Sequence, residues 1–212
     1  AAEYEKKFKK YKDSKFPKIT SISGEVHLFP KESRLEFSGT YKLKNKTENS
    51  IDRIHSNFNA RFPYEQYSWS IDNKLVERDS IYGWDTYVFD PPISPGDEIT
   101  LNFSGARYRR GFTNGGVDMT VLDNGTMIFS SQLFPTFGYS SDRELSQKRT
   151  RKKYGLKEDK DPMRPYNDAE GLKYGILGDD ADWVNYEMTV STDVDQIAIT
   201  PGYLIKEYEE DS

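Results

Sequence analysis

The 212 residues carry 35 acidic against 30 basic side chains, a net charge of −5, and no cysteine. This excludes disulfides, zinc ribbons and thiol nucleophiles, and an acidic balance argues against nucleic acid as a partner. Hydrophobic content is a modest 35%, yet there are 15 Tyr, 12 Phe and 3 Trp. Such aromatic richness suits pleated, half-buried surfaces, and the length fits one large all-β domain. No apolar run approaches the roughly 18 residues a membrane helix needs, and no signal peptide is visible. Because Ala1-Ala2-Glu3 stands where an initiator methionine would, the chain is expected to be an excised or processed product with any targeting segment outside it.

In chain order, Tyr4, Phe8 and Tyr11 recur at helical spacing among lysines, and Pro17 ends the pattern. Residues 1–16 therefore read as a leader helix, either packed on a sheet or emerging as a stalk from a membrane. Residues 17–212 read as the sandwich proper. Ile22 to Phe29 is a strand candidate. Leu35, Phe37, Tyr41 and Leu43 alternate around Gly39, which predicts a strand with a bulge or bend at the glycine. Asn45 to Ser50 is a polar turn. Ile54, Ser56 and Phe58 resume the alternation, Tyr67, Trp69 and Ile71 form a short strand before an Asp72-Asn73 turn, and Tyr87 and Phe89 lead into Asp90-Pro91-Pro92.

Pro95-Gly96-Asp97 is a turn in which Pro presets φ and Gly tolerates a positive one. Ile99, Leu101 and Phe103 then share a face. Val117, Met119 and Val121, then Asn124-Gly125, then Met127 to Phe129 predict a hairpin. Ser141 with Glu144 predicts a capping box, Arg149, Arg151, Lys152 and Lys153 suit the helix C-terminus that follows, and Gly155 fits its left-handed stop. The helix and a long irregular connection make an insertion over about 141–180. Strands return at Trp183 to Val190 and Gln196 to Thr200. Regular short strands with turns between them predict an all-β, antiparallel β-sandwich with one or two short helices.

Chemistry is sparse. His27 and His55 are the only histidines, both in strand-like segments, and no H-E-x-x-H pair exists, so a zinc site within this chain is not expected. His55 and Ser56 are neighbours on a strand and point to opposite faces, so they do not pair as base and nucleophile. No G-x-S-x-G elbow is present. Asp179, Asp180 and Asp182 lack calcium-loop spacing and read first as a solvated turn, and Gly115-Gly116 lacks a phosphate-loop pattern. The basic stretch from Arg143 to Lys153 is suited to touching anions, but reads first as a solvated helix face with favourable terminal charges. Tyr64, Tyr67, Trp69, Tyr82 and Trp84 cluster in sequence and serve either as packing or as a sugar-stacking platform.

Several stretches in a shared order resemble the N-terminal domain of the aminopeptidase N (gluzincin zinc metallopeptidase) family. Lys18-Ile19-Thr20 through Phe29-Pro30-Lys31-Glu32-Ser33-Arg34-Leu35-Glu36-Phe37-Ser38-Gly39-Thr40-Tyr41 resembles its opening strand, turn and strand, with Gly39, Leu43 and Asn45 on the "G-x-x-x-L-x-N" spacing. Pro91 through Leu101 resembles its "L-x-P-G-x-x-x-x-L" step, with Ile93 in place of the first Leu, and Gly111-Phe112-Thr113 its "G-F-Y"-like turn. Trp183 to Pro201-Gly202 resembles its closing strands, without the usual "S-N-G" ending. Lys152-Lys153-Tyr154-Gly155-Leu156 and Ala181-Asp182-Trp183-Val184 resemble a Bacteroidetes-type branch in which the peptidase is fused behind an ABC-transporter permease.

The resemblance implies a saddle-shaped sandwich that is itself non-catalytic. It would scaffold a thermolysin-like domain of the same chain, which holds the G-x-M-E-N loop, the zinc and the general base. This chain would carry no cofactor of its own. The parent's substrate would be a peptide N-terminus, its place the periplasmic side of the inner membrane, and its membrane contact made through segments outside this sequence. The family's "T-Q-x-E/Q" segment maps onto Ser131-Gln132-Leu133-Phe134. That implies a substrate contact by Gln132, whose amide is both donor and acceptor, with Phe134 replacing a second polar residue. On the residues alone, Gln132 serves equally to satisfy local backbone. A different expectation is an independent carbohydrate- or protein-binding sandwich of an exported bacterial protein. A third is a degenerate peptidase acting as a transporter's sensor domain.

Overall fold

The structure, a computed structural model, describes residues 1–60, 63–108, 120–160, 165–169, 172 and 181–209, leaving aside the side chain of Asp182. Its strands are β1 (Lys18–Phe29), β2 (Arg34–Lys44), β3 (Ile51–Asn57), β4 (Gln66–Trp69), β5 (Asn73–Asp79), β6 (Trp84–Ile93), β7 (Glu98–Tyr108), β8 (Thr136–Phe137) and β9 (Ala181–Ser191). The helices are α1 (Ala2–Phe8), α2 (Ser130–Leu133) and α3 (Lys148–Lys153). One sheet runs β4-β7-β2-β1-β9 and the other β5-β6-β3-β8. All pairings are antiparallel except β1 with β9. The architecture is the expected all-β sandwich with short helices.

The core follows from period-two alternation. β2 sends Leu35, Phe37, Tyr41 and Leu43 inward and β7 sends Ile99, Leu101 and Phe103, while Ile54, Tyr87 and Phe89 come from the opposing sheet. Gly39 belongs to this inward row but makes no bulge: its register with Gly24 and Phe103 is regular, and the slip in β1 lies at Ile19–Ser21 instead. The glycine serves the neighbouring ring. A Cβ on Gly39 would stand 2.5 Å from Cζ of Phe103, and one on Gly105 3.0 Å from Cζ of Phe37. Each glycine opens a slot for the aromatic ring of the paired strand.

Other elements depart from the alternation. β5 carries Asn73, Lys74, Leu75 and Val76 exposed along a sheet edge, so no burial pattern announces it. The predicted hairpin is not formed where it is described: Asp123-Asn124 turns and Gly125 Nα–H reaches the Leu122 carbonyl, but Met127 to Phe129 pairs with no strand and Met127 and Phe129 are exposed. Val117, Met119 and Gly111-Phe112-Thr113 lie outside the described residues, as does the Gly115-Gly116 pair. Gln196 to Thr200 is likewise not a strand.

The leader helix packs on the sandwich. Tyr4 and Phe8 are buried against Trp84, with the Phe8 and Trp84 rings stacked at 4.4 Å and Tyr4 stacked on Tyr139 at 5.2 Å. Tyr11 lies 4.1 Å from His55. The predicted capping box is replaced by a 3₁₀ turn over Ser141–Arg143 whose preceding residue makes no side-chain cap. Glu144 is instead buried, accepting from the Tyr139 hydroxyl at 2.8 Å and facing Lys9 at 3.3 Å. The stop at Gly155 is as expected, with φ +69° and the Leu156 amide returning to the Arg151 carbonyl at 3.0 Å.

Candidate functional site

The segment that holds Gln132 and Phe134 is pinned from below by two buried side chains and one half-buried one. Arg107 donates to the Gln132 carbonyl, Tyr64 Oη donates to the Leu133 carbonyl at 2.9 Å, and Tyr41 Oη to the Pro135 carbonyl at 3.2 Å. Such bonds to backbone groups that have left the ladder fix a short irregular stretch firmly. Burial pushes the Tyr64 hydroxyl well above the ordinary phenol range despite the opposing pull of Arg107, so it stays a donor.

Between these anchors the Phe134 ring turns into the core. It stands 5.1 Å from Phe103, 6.3 Å from Tyr41 and 6.3 Å from Phe37, over the glycine row where a Cβ on Gly24 would meet its Cζ at 3.2 Å. An apolar ring at this position plugs the sandwich beneath the segment. Gln132 stays half-exposed, and its Oε1 accepts the Phe129 amide at 2.8 Å across the start of α2. Its Nε2 has no hydrogen-bond partner among the described residues. Exposed Met127 and Phe129 flank it in sequence.

Of the residues that build this site beyond Gln132 and Phe134, Tyr41 and Tyr64 stand in the sequence reading only as strand and cluster aromatics, and Arg107 is not singled out there although it was accessible. Alternation along β7 runs Ile99, Leu101, Phe103, Gly105 and then Arg107, which places an arginine in an inward position. An inward arginine announces a buried acceptor.

On the outer face of the larger sheet, a shallow groove of ≈ 540 Å³ is lined by His27, Arg34, Glu36, Ser38, Glu65 and Tyr108 among others. The Arg34 guanidinium is held between Glu32 and Glu36, and His27 Nδ1 shares a 2.8 Å hydrogen bond with Ser191 Oγ. Among the described residues no group of three or more His, Asp or Glu is placed to hold a metal ion. The side chains of Asp179, Asp180 and Asp182 fall outside the description.

His55 is buried at 2% exposure, with Nδ1 3.0 Å from Thr86 Oγ1, and Ser56 bonds instead to Tyr67 Oη. The two neighbours thus take separate partners on opposite faces. Burial, aided by nearby Arg53 and Lys10, lowers the His55 pKa to about 4, so the imidazole is neutral at pH 7. The aromatic platform is not built: Trp69 and Trp84 are buried, Tyr64 and Tyr67 pack on the main core, and Tyr82 packs beside Tyr4 and Phe8.

No protein-family model matches the chain, and no curated protein sequence matches it. Among solved structures it is similar to the M1 zinc metallopeptidase of Deinococcus radiodurans over 44% of this chain and 20% of that one, at 14% identity and TM-score 0.33. A two-domain M1 zinc metallopeptidase bound to L-tryptophan aligns over 48% of this chain and 23% of its own, at 15% identity and TM-score 0.32. Native leukotriene A4 hydrolase of Saccharomyces cerevisiae aligns over 42% and 14%, at 17% identity and TM-score 0.31. The chain spans less than a quarter of the length of each.

Proposed function

We propose that this chain is a non-catalytic β-domain that scaffolds a zinc-peptidase-like domain and walls part of its peptide cleft. The observation that carries this reading is the apolar surface at the C-terminal end. Trp183 on β9 is 96% exposed, and the segment after it presents Val194, Ile197, Ile199, Tyr203, Leu204 and Ile205 to solvent. A sandwich whose core is already filled has no internal use for them, and apolar patches of this extent mark surfaces that another body covers. The ordered motifs from Lys18 to Leu101 supply the identity of that body.

Within this reading Gln132 faces the cleft and offers Nε2 to a peptide carbonyl, while Phe134 supports the cleft floor from inside. The zinc and the general base belong to the covering domain. The assembly stands on the extracytoplasmic side of a membrane, anchored by other segments.

The test is complementation in trans. The chain alone, with added zinc, should give no turnover of aminoacyl anilides. Mixed with the thermolysin-like domain encoded beside it, it should form a complex that quenches the fluorescence of a hydrophobic dye bound to the chain. Turnover by the chain alone, or failure to form that complex, would overturn the assignment.

A further inference from the structure

Gln132 sits in an uncharged stretch. Residues 124–141 contain no charged side chain, although 31% of the whole chain is charged. Within this stretch Met127 is 75% and Phe129 60% exposed, while Ile128 between them packs against the core. Alternation of this kind sends Met127 and Phe129 to one side, away from the sandwich. The turn ahead of them is tied down. Gly125 N–H donates to the Leu122 carbonyl at 3.3 Å, and Gln196 Nε2 donates to the Asp123 carbonyl at 2.7 Å.

Phe129 and Gln132 are locked to each other twice. The Phe129 amide donates to Gln132 Oε1 at 2.8 Å, and the Gln132 amide donates to the Phe129 carbonyl at 2.9 Å. The first bond fixes which end of the side-chain amide is which, because a backbone N–H needs an acceptor. Nε2 is the end left to a ligand, and it can only donate. A donor is thus bonded to the backbone of an outward-facing aromatic residue.

We infer that Met127 and Phe129 receive a large apolar side chain of the peptide whose carbonyl Gln132 holds. This rests on the cleft-wall reading above and adds the substrate class to it, namely peptides whose first residue is apolar and of leucine or phenylalanine size. A residue's carbonyl and side chain leave the same Cα, so adjacent donor and apolar surfaces hold both. The uncharged stretch offers no counter-charge to a lysine, arginine or acidic side chain. Arg107, beneath it, is buried and donates to the Gln132 carbonyl. A flexible thioether and a phenyl ring adapt to apolar side chains of varied shape. Two side chains are far too small a patch for a domain interface, which takes about 800 Å² per partner, but they match one residue of a peptide.

NMR titration of the whole chain with Leu-Gly-Gly, Gly-Gly-Gly and Lys-Gly-Gly tests this. Leu-Gly-Gly should shift the Met127 methyl and the Gln132 side-chain amide, and bind at least about tenfold more tightly than either other tripeptide. The variant M127S/F129S alters exposed side chains only. It should keep the wild-type melting temperature and reduce Leu-Gly-Gly to the affinity of Gly-Gly-Gly. No shift at Met127 or Gln132, equal affinity for the three tripeptides, or undiminished preference in the folded double variant would each overturn the inference. So would loss of the complex with the thermolysin-like domain in M127S/F129S, which would assign the two side chains to that interface. Selective tripeptide binding by a chain that forms no such complex would instead remove the peptidase role and leave the apolar site standing.

Discussion

Single residues here do work that their side-chain type does not advertise. Gly39 is such a case, because the Phe103 ring occupies the space its Cβ would take. Gly39→Ala must displace a fully packed ring, and overpacking of this kind costs about 1–3 kcal/mol. The loss should appear as a lower urea midpoint with an unchanged slope. His55 gives a pH signature. Its folded pKa of about 4 lies below its ordinary 6.5, so the unfolded chain binds the extra proton. Stability is therefore full above pH 6.5 and falls by up to about 1.4 kcal/mol per pH unit as pH drops towards 4. Urea midpoints measured across that window should lose this component in His55→Gln, and an unchanged pH slope would contradict the buried neutral imidazole.

At the scale of elements, α1 is held by aromatic stacking on Trp84 and by the buried Glu5–Arg151 pair. Burial alone would raise the Glu5 pKa, but Arg151 and Lys9 outweigh it and hold the carboxyl below its ordinary value. That stabilisation is present above the ordinary carboxylate pKa and is lost as pH falls through the lowered one. Arg151→Met leaves the buried Glu5 carboxylate to Lys9 alone, which should cost less than the about 3–5 kcal/mol of a fully stranded charge, and adding Glu5→Met should recover much of the loss. Protease nicking ahead of Pro17 reads the release of α1. A double variant as unstable as the single one would show that the pair itself, not the stranded charge, matters.

The same elements show where sequence was informative. Alternation in Leu35 to Leu43 and Ile99 to Phe103 gave β2 and β7 because one face of each is buried. β5 escaped because a mostly solvated edge strand, with Leu75 and Val76 exposed, has no buried face to imprint a period. Ser141 and Glu144 have the spacing of a capping box, but Glu144 is drawn to Lys9, a residue whose proximity only the fold creates. Arg151 looked like a solvated C-terminal charge for the same reason. Gln132 and Phe134 were legible only through family resemblance, since neither the anchoring by Arg107, Tyr64 and Tyr41 nor the glycine row beneath Phe134 is local in sequence.

For the whole molecule, two apolar populations should respond oppositely to mutation. Phe134 lies inside the sandwich, and Phe134→Ala should cost about 3–5 kcal/mol because the ring's cavity cannot refill. Ile197, Ile199, Leu204 and Ile205 lie outside it and contribute little burial to the isolated chain. Replacing all four with Ser should change stability by no more than about 0.5 kcal/mol per site. It should nonetheless remove most hydrophobic-dye binding and abolish any complex with a covering domain. These outcomes separate a surface made for a partner from a poorly packed edge of the fold. If the fourfold Ser variant instead melted several degrees lower, those residues would be acting in the chain's own stability, and the scaffold reading would lose the surface on which it rests.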